Sequence, residues 1–123
     1  MAFALSLAGG TLMGQDAVVR PLLSKVLEGD SAREVSMIAV EYPPGGSDPV
    51  HRHNAQAVVF VLEGSIAMQV RGGAPVTLTP GQTFYEGPDV VHIVGRNASR
   101  TAPAKFLVFL VKEKGAPILT PVD

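Results

Sequence analysis

Apolar positions along this chain fall into short runs separated by glycine and proline clusters. That pattern predicts many short strands joined by turns, and no stretch carries the spacing of an amphipathic helix. Val18–Leu27 is apolar but holds Pro21, which suits an edge strand. Glu34–Tyr42 is apolar on both faces, as a buried strand is. After the loop 43–49 comes a short extended piece, Val50–His53. Ala57–Leu62 (AVVFVL) gives the strongest strand signal, and Ile66–Arg71 returns from a turn at Glu63-Gly64. Val76–Leu78, Thr83–Tyr85 and Val90–Val94 are shorter strands split by Pro80-Gly81 and Gly87-Pro88. A polar loop, 95–103, precedes a last buried strand, Lys105–Val111. The expected fold is all-β, a small antiparallel barrel or jelly roll whose interior is lined by alternate residues. Residues 18–114 would form the barrel. Residues 1–17 would be an arm or the remnant of an export signal, and 115–123 a C-terminal tail.

Composition narrows the partners. At 123 residues one domain is expected. Charged residues are 17% of the chain and the net charge is −1, so there is no basic excess for nucleic acid. Cysteine is absent, which excludes disulfides, thiolate ligands and cysteine nucleophiles. The apolar stretch Ala2–Ala8 is too short to span a membrane. It could be the apolar core of an export signal, although no Lys or Arg precedes it, so the compartment stays open between cytoplasmic and periplasmic.

The candidate chemistry lies in the histidines. The chain has three, His51, His53 and His92. Residues i and i+2 of a strand share a face, so His51 and His53 would point the same way. A later strand carrying His92 beside them would set three imidazoles around one divalent transition ion such as Fe, Zn, Ni or Mn. The plainer alternatives are polar residues at a strand edge, or histidines that bond a substrate directly.

Two stretches then carry a family resemblance. Gly45–His53 with Val61-Leu62-Glu63-Gly64 resembles the first conserved motif of the cupin superfamily. Gly81–His92 with Asn97 resembles the second. The likeness is to small, single-domain RmlC-like cupins of the HRH…VLEG type. It implies a metal held by His51, His53 and His92, a small-molecule ligand, and a homodimer formed through a sheet face or an exchanged N-terminal arm. The chain departs from the pattern at Ala57, where a ligating glutamate is usual. It departs again at Gly87-Pro88-Asp89, and at Asn97, one residue later than usual. Asn97-Ala98-Ser99 is also a glycosylation sequon, but the loop asparagine of the second motif is the preferred reading.

Gln56 is the candidate fourth ligand. Strict alternation points it outward, and a bulge between Asn54 and Gln56 would be needed to turn it in. A site without glutamate would remain +2 and favour an anionic or chelating ligand. A catalytic base would then come from Glu86, although a solvated turn carboxylate is its plainer reading. Asp48 and Tyr85 are further candidates, with Asp48 assigned first to its Ser-Asp-Pro turn. Phe60, Met68, Phe84 and Phe106 are expected to line or pack the barrel. The preferred function is a metal-dependent cupin acting on a small anionic or chelating molecule, with Fe(II)-type dioxygenation first. A non-catalytic binding module, a metal-assisted isomerase or lyase, and a structural dimer with a vestigial site are the alternatives.

Overall fold

The computed structural model describes residues 16–123, so the expected arm or export signal lies largely outside the described residues. The described residues form ten strands and no helix. They are β1 (Val18–Leu27), β2 (Asp30–Tyr42), β3 (His51–Arg52), β4 (Ala55–Glu63), β5 (Ile66–Val70), β6 (Val76–Leu78), β7 (Thr83–Glu86), β8 (Val91–Asn97), β9 (Ala104–Glu113) and β10 (Thr120–Pro121). Two five-stranded sheets result, in the orders β1-β2-β9-β4-β7 and β10-β3-β8-β5-β6. All the strand pairings are antiparallel. The architecture is an all-β jelly roll.

The period-2 rule builds the core. Along β4 buried and exposed positions alternate from Ala55 to Leu62, and along β9 buried positions alternate with half-buried or exposed ones from Ala104 to Glu113. Inward side chains Val59, Val61, Phe106, Val108 and Leu110 meet Ile66, Met68 and Leu78 of the other sheet. As its proline suggests, β1 is an edge strand, and its register shifts between Pro21 and Leu23.

Three features differ from the sequence reading. The strand β8 runs on to Asn97, into the stretch expected to be loop. The C-terminal stretch is paired, since Thr120 and Pro121 stand opposite Arg52 and His51. Phe60 faces outward and is 41% exposed, so it does not line the barrel.

Gly64 closes the β4–β5 turn at φ 75°, a region that disfavours side chains. A Cβ there would lie 2.5 Å from the Pro103 carbonyl oxygen. Gly64→Ala should therefore cost roughly 3 kcal/mol, from backbone strain and overpacking together. Urea unfolding checks this, and an unchanged midpoint would contradict it.

Candidate metal centre

Register, rather than proximity in the chain, assembles the site. His51 pairs directly with His92 across β3 and β8. His53 follows at i+2 from His51, and all three imidazoles are buried. On the facing sheet Ala57 pairs with Glu86 across β4 and β7. Directly opposite residues in an antiparallel pair share a face, so both point inward. Glu86 is only 2% exposed. Its reading as a solvated turn carboxylate is thereby overturned.

The ring nitrogens are sorted by carbonyls. His51 Nδ1 donates to Pro49 O at 2.7 Å, and His53 Nδ1 donates to Ile118 O at 2.6 Å. Each bond selects the tautomer whose Nε2 carries the lone pair, and that of His51 faces His92 Nδ1. One ligand atom from each of His51, His53 and Glu86 fits within a set spanning at most 4.8 Å. His92 Nδ1 stands 3.3 Å from His51 Nε2 and 3.3 Å from Glu86 Oε2. His53 Nε2 is 3.7 Å from Glu86 Oε1. Atoms about 2.1 Å from one ion sit roughly 3.0–3.4 Å from each other, so the His92 contacts already match that range, while His51, His53 and Glu86, with atoms up to 4.8 Å apart, would draw in to share an ion. Glu86 Oε1 and His92 Nε2 are buried without a hydrogen-bond partner. Such orphans call for an ion or a water. The donor set therefore fits a divalent transition metal.

Burial dominates the electrostatics. It pushes Glu86 up to about 7, and the nearby Asp48 charge adds to the rise. It pulls His92 down to about 3, helped by His51 and His53, and it lowers His51 and His53 as well. By distance alone Glu86 and His92 would be an ion pair. Desolvation opposes both charges, so the pair is better described as a neutral carboxyl beside neutral imidazole. A cation would reverse that preference for Glu86.

Asp48 belongs to the site too. It lines the central cavity of about 40 Å³ together with the three histidines, Glu86 and an apolar wall that includes Val59, Met68 and Phe106. Tyr42, fully buried, donates its hydroxyl to Asp48 Oδ2 at 2.6 Å. Burial raises Asp48 to about 6 against the lowering effect of that bond and of His53. Tyr42 is held well above its ordinary value. No sequence signal links Tyr42 to Asp48: Tyr42 reads as the end of a buried strand, and Asp48 as a turn residue first and a candidate base second.

Gln56 is not part of the cluster. It lies on the outer face of β4, exposed, and its Oε1 accepts the Tyr85 hydroxyl at 3.0 Å. No register shift occurs at the start of β4, so the bulge needed to turn Gln56 inward is absent and alternation prevails. Tyr85 faces outward with it. Asn97 is buried and donates through Nδ2 to the carbonyls of Tyr42, Pro43 and Ala102. Its amide pins three segments together and is not presented as a glycosylation acceptor. Phe84 is half-buried beside the His92 ring, at 6.2 Å between centroids.

A double-sheet jelly roll with converging imidazoles and a carboxylate in its interior defines a class, and sequence comparison agrees with it. The cupin domain family model matches residues 38–110, and the chain belongs to that family. It is 26% identical over 111 residues to germin-like protein 4-1 of Oryza sativa subsp. japonica, covering 82% of this chain. The chain spans 44% of that relative's length. A cupin-like protein of Thermotoga maritima superposes with TM-score 0.69 at 19% identity, over 89% of this chain and 77% of that one. The DMSP lyase DddQ of Ruegeria pomeroyi superposes with TM-score 0.69 at 21% identity, over 93% of this chain and 57% of that one. At these identities the two structures share the fold.

Two predictions follow from the site's chemistry. A bound cation must displace the Glu86 proton below about pH 7, while burial favours the neutral form of all three histidines. Zn(II) affinity should fall about tenfold per pH unit from 7 down to 6. It should be nearly flat over that range in Glu86→Gln, as calorimetric titration would show. Gly95 seats the His92 ring, since a Cβ there would lie 3.2 Å from His92 Cε1 and 3.1 Å from the Tyr42 hydroxyl. Gly95→Ala should weaken metal binding about tenfold by displacing a ligand's support, with the fold retained by circular dichroism.

Proposed function

We propose that this cupin holds one divalent transition ion through His51, His53 and His92, with Glu86 beside them, and acts on a small anionic molecule. The observation that carries this reading is the convergence of four buried donor residues, two of them with unpartnered atoms, in one cavity. With Glu86 ionised and three neutral imidazoles, the ion and its protein ligands carry +1. That charge suits a monoanion such as a small carboxylate or enolate. The cavity volume limits the occupant to a few non-hydrogen atoms beyond the ion.

When bound, the ion supplies Lewis acidity, or redox chemistry if it is iron. The remaining roles fall to the chain's own side chains. The Asp48 carboxylate, poised near 6, accepts a proton from a ligand seated in the cavity. Tyr42 stays protonated and orients Asp48 through its hydroxyl. Ile38, Val40, Val59 and Val108 keep water from the opposite wall.

This acid–base pair favours proton transfer, isomerisation or elimination over dioxygenation, although three imidazoles also suit an Fe(II) oxygenase. The lyase named among the similar folds agrees with the first, on fold-level analogy. Elemental analysis of purified protein should find one transition metal per chain, lost in His51→Ala. Turnover of small carboxylates should persist without oxygen in Zn- or Mn-loaded protein, and Asp48→Asn should lower it about a hundredfold or more. Oxygen uptake with Fe(II) alone would favour the oxygenase, and metal-free protein with an intact fold would sink both readings.

A further inference from the structure

We infer that Lys112 is a positioning residue for His53: it holds the strap of residues 116–119 through Ala116, and the strap holds the imidazole through Ile118. The alternation of β9 turns Lys112 inward, in line with Phe106, Val108 and Leu110. It is only 5% exposed, so a lysine stands where the pattern calls for an apolar side chain. Lysine is almost never buried this far without a partner. Its directly opposite residue on β2 is Glu34. The Lys112 ammonium donates to Glu34 Oε2, and it donates also to the Ala116 carbonyl oxygen at 2.6 Å.

Stability alone does not account for this pair. Well-packed apolar side chains in place of a buried ion pair are often neutral or stabilising. The ammonium does not serve the ion directly either, for Lys112 is not among the residues lining the histidine cavity. What it adds is a bond to a backbone carbonyl outside the sheet. The strand β9 ends at Glu113, and Ala116 is where the chain beyond it is caught. Two residues on, Ile118 O accepts the His53 Nδ1 proton, and the side chains of Ile118 and Leu119 form part of the cavity wall.

The other anchors of this strap are few. The strand β10 pairs with β3 only at Thr120 and Pro121, and the Val122 N–H donates to Val50 O at 3.0 Å. Both β10 and β1 are edge strands, each of a different sheet, and Val19 of β1 lines the same cavity. Among the described residues no strand pairing joins β10 to β1. The strap therefore crosses a seam between the sheets, with Lys112 at its start and a short ladder at its end. Released at Ala116, it would hang from that ladder alone. The Ile118 carbonyl would then no longer be set against the His53 ring, and the tautomer it selects would be lost.

The consequence for metal binding rests on His53 ligating the ion, but the first readout needs no metal. In the metal-free protein the imidazole nitrogen shifts of His53 should report the Nδ1–H tautomer. The paired variant Lys112→Met with Glu34→Met removes both charges and leaves neither unpaired. Its circular dichroism and unfolding midpoint should stay those of the wild type. His53 should become a mixture of tautomers, while His51, held by Pro49, keeps its own. Zn(II) affinity should fall about tenfold. Glu34→Gln, which leaves Lys112 its bond to Ala116, should keep the wild-type tautomer. If the methionine pair does not fold, Lys112→Gln gives the same readouts, since its shorter side chain keeps a donor for Glu34 and loses reach to Ala116. An unchanged His53 tautomer in a folded Lys112 variant overturns the inference. So does a Glu34→Gln protein as scrambled as the methionine pair. Wild-type protein that binds no Zn(II), yet shows these tautomer changes, would sink the proposed ion and leave the coupling of Lys112 to His53 intact.

Discussion

A carboxylate buried beside three imidazoles, inside an apolar barrel, is the constraint on which this structure turns. Glu86 in water would ionise near 4.5, and burial moves that to about 7. Its folded value is raised, so its contribution to stability is full below 4.5 and is lost as pH rises through about 7. Above that pH the loss is about 3 kcal/mol in the absence of a counter-charge. His92 runs the other way: its folded value is lowered to about 3, so its contribution is full above 6.5 and lost as pH falls through about 3. The cluster without a cation is thus most comfortable with every member neutral. Any ion that binds it stabilises the fold as well as filling the site.

Supports for that cluster come from distant parts of the chain. Pro49 and Ile118 fix the tautomers of His51 and His53 from opposite sides in sequence. The C-terminal segment is therefore part of the histidine cluster's support, because its pairing with β3 brings Ile118 to the His53 ring. Tyr42 ends β2 with its hydroxyl on Asp48, and Asn97 ties the Tyr42 and Pro43 carbonyls to that of Ala102. Each of these bonds satisfies a buried polar group and also limits the movement of a side chain in the cavity.

Local patterning made the strands legible, together with the pairing of His51 and His53 on one face. Alternation from His53 correctly places Ala57 inward and Gln56 outward, and the geometry of β4 needed no bulge to overrule it. Phe60 obeys the same alternation and faces out, although its size alone suggested core. The position of Glu86 was not legible, because it depends on the register between β4 and β7, a long-range pairing that no local pattern encodes. The same holds for Ile118, whose role is a backbone carbonyl that no side-chain signature reveals. Asp48 was obscured by a real turn signal, for Ser-Asp-Pro is good turn chemistry wherever the side chain points.

The exchange between Ala57 and Glu86 carries the chemical consequence. A glutamate at 57 would enter from β4, whereas here the carboxylate enters from the next strand while the small Ala57 side chain leaves it room. With Glu86 inside, an ion held there would carry +1 together with its ligands, in place of the expected +2. The second carboxylate, Asp48, shares the cavity and opposes further negative charge. An anion arriving beside Asp48 raises its affinity for protons. Anion binding and proton uptake are then linked, and a dianion would be disfavoured relative to a monoanion that can give up a proton. On the proposed reading, the pair of carboxylates would favour a ligand that is anionic at one end and acidic at the other.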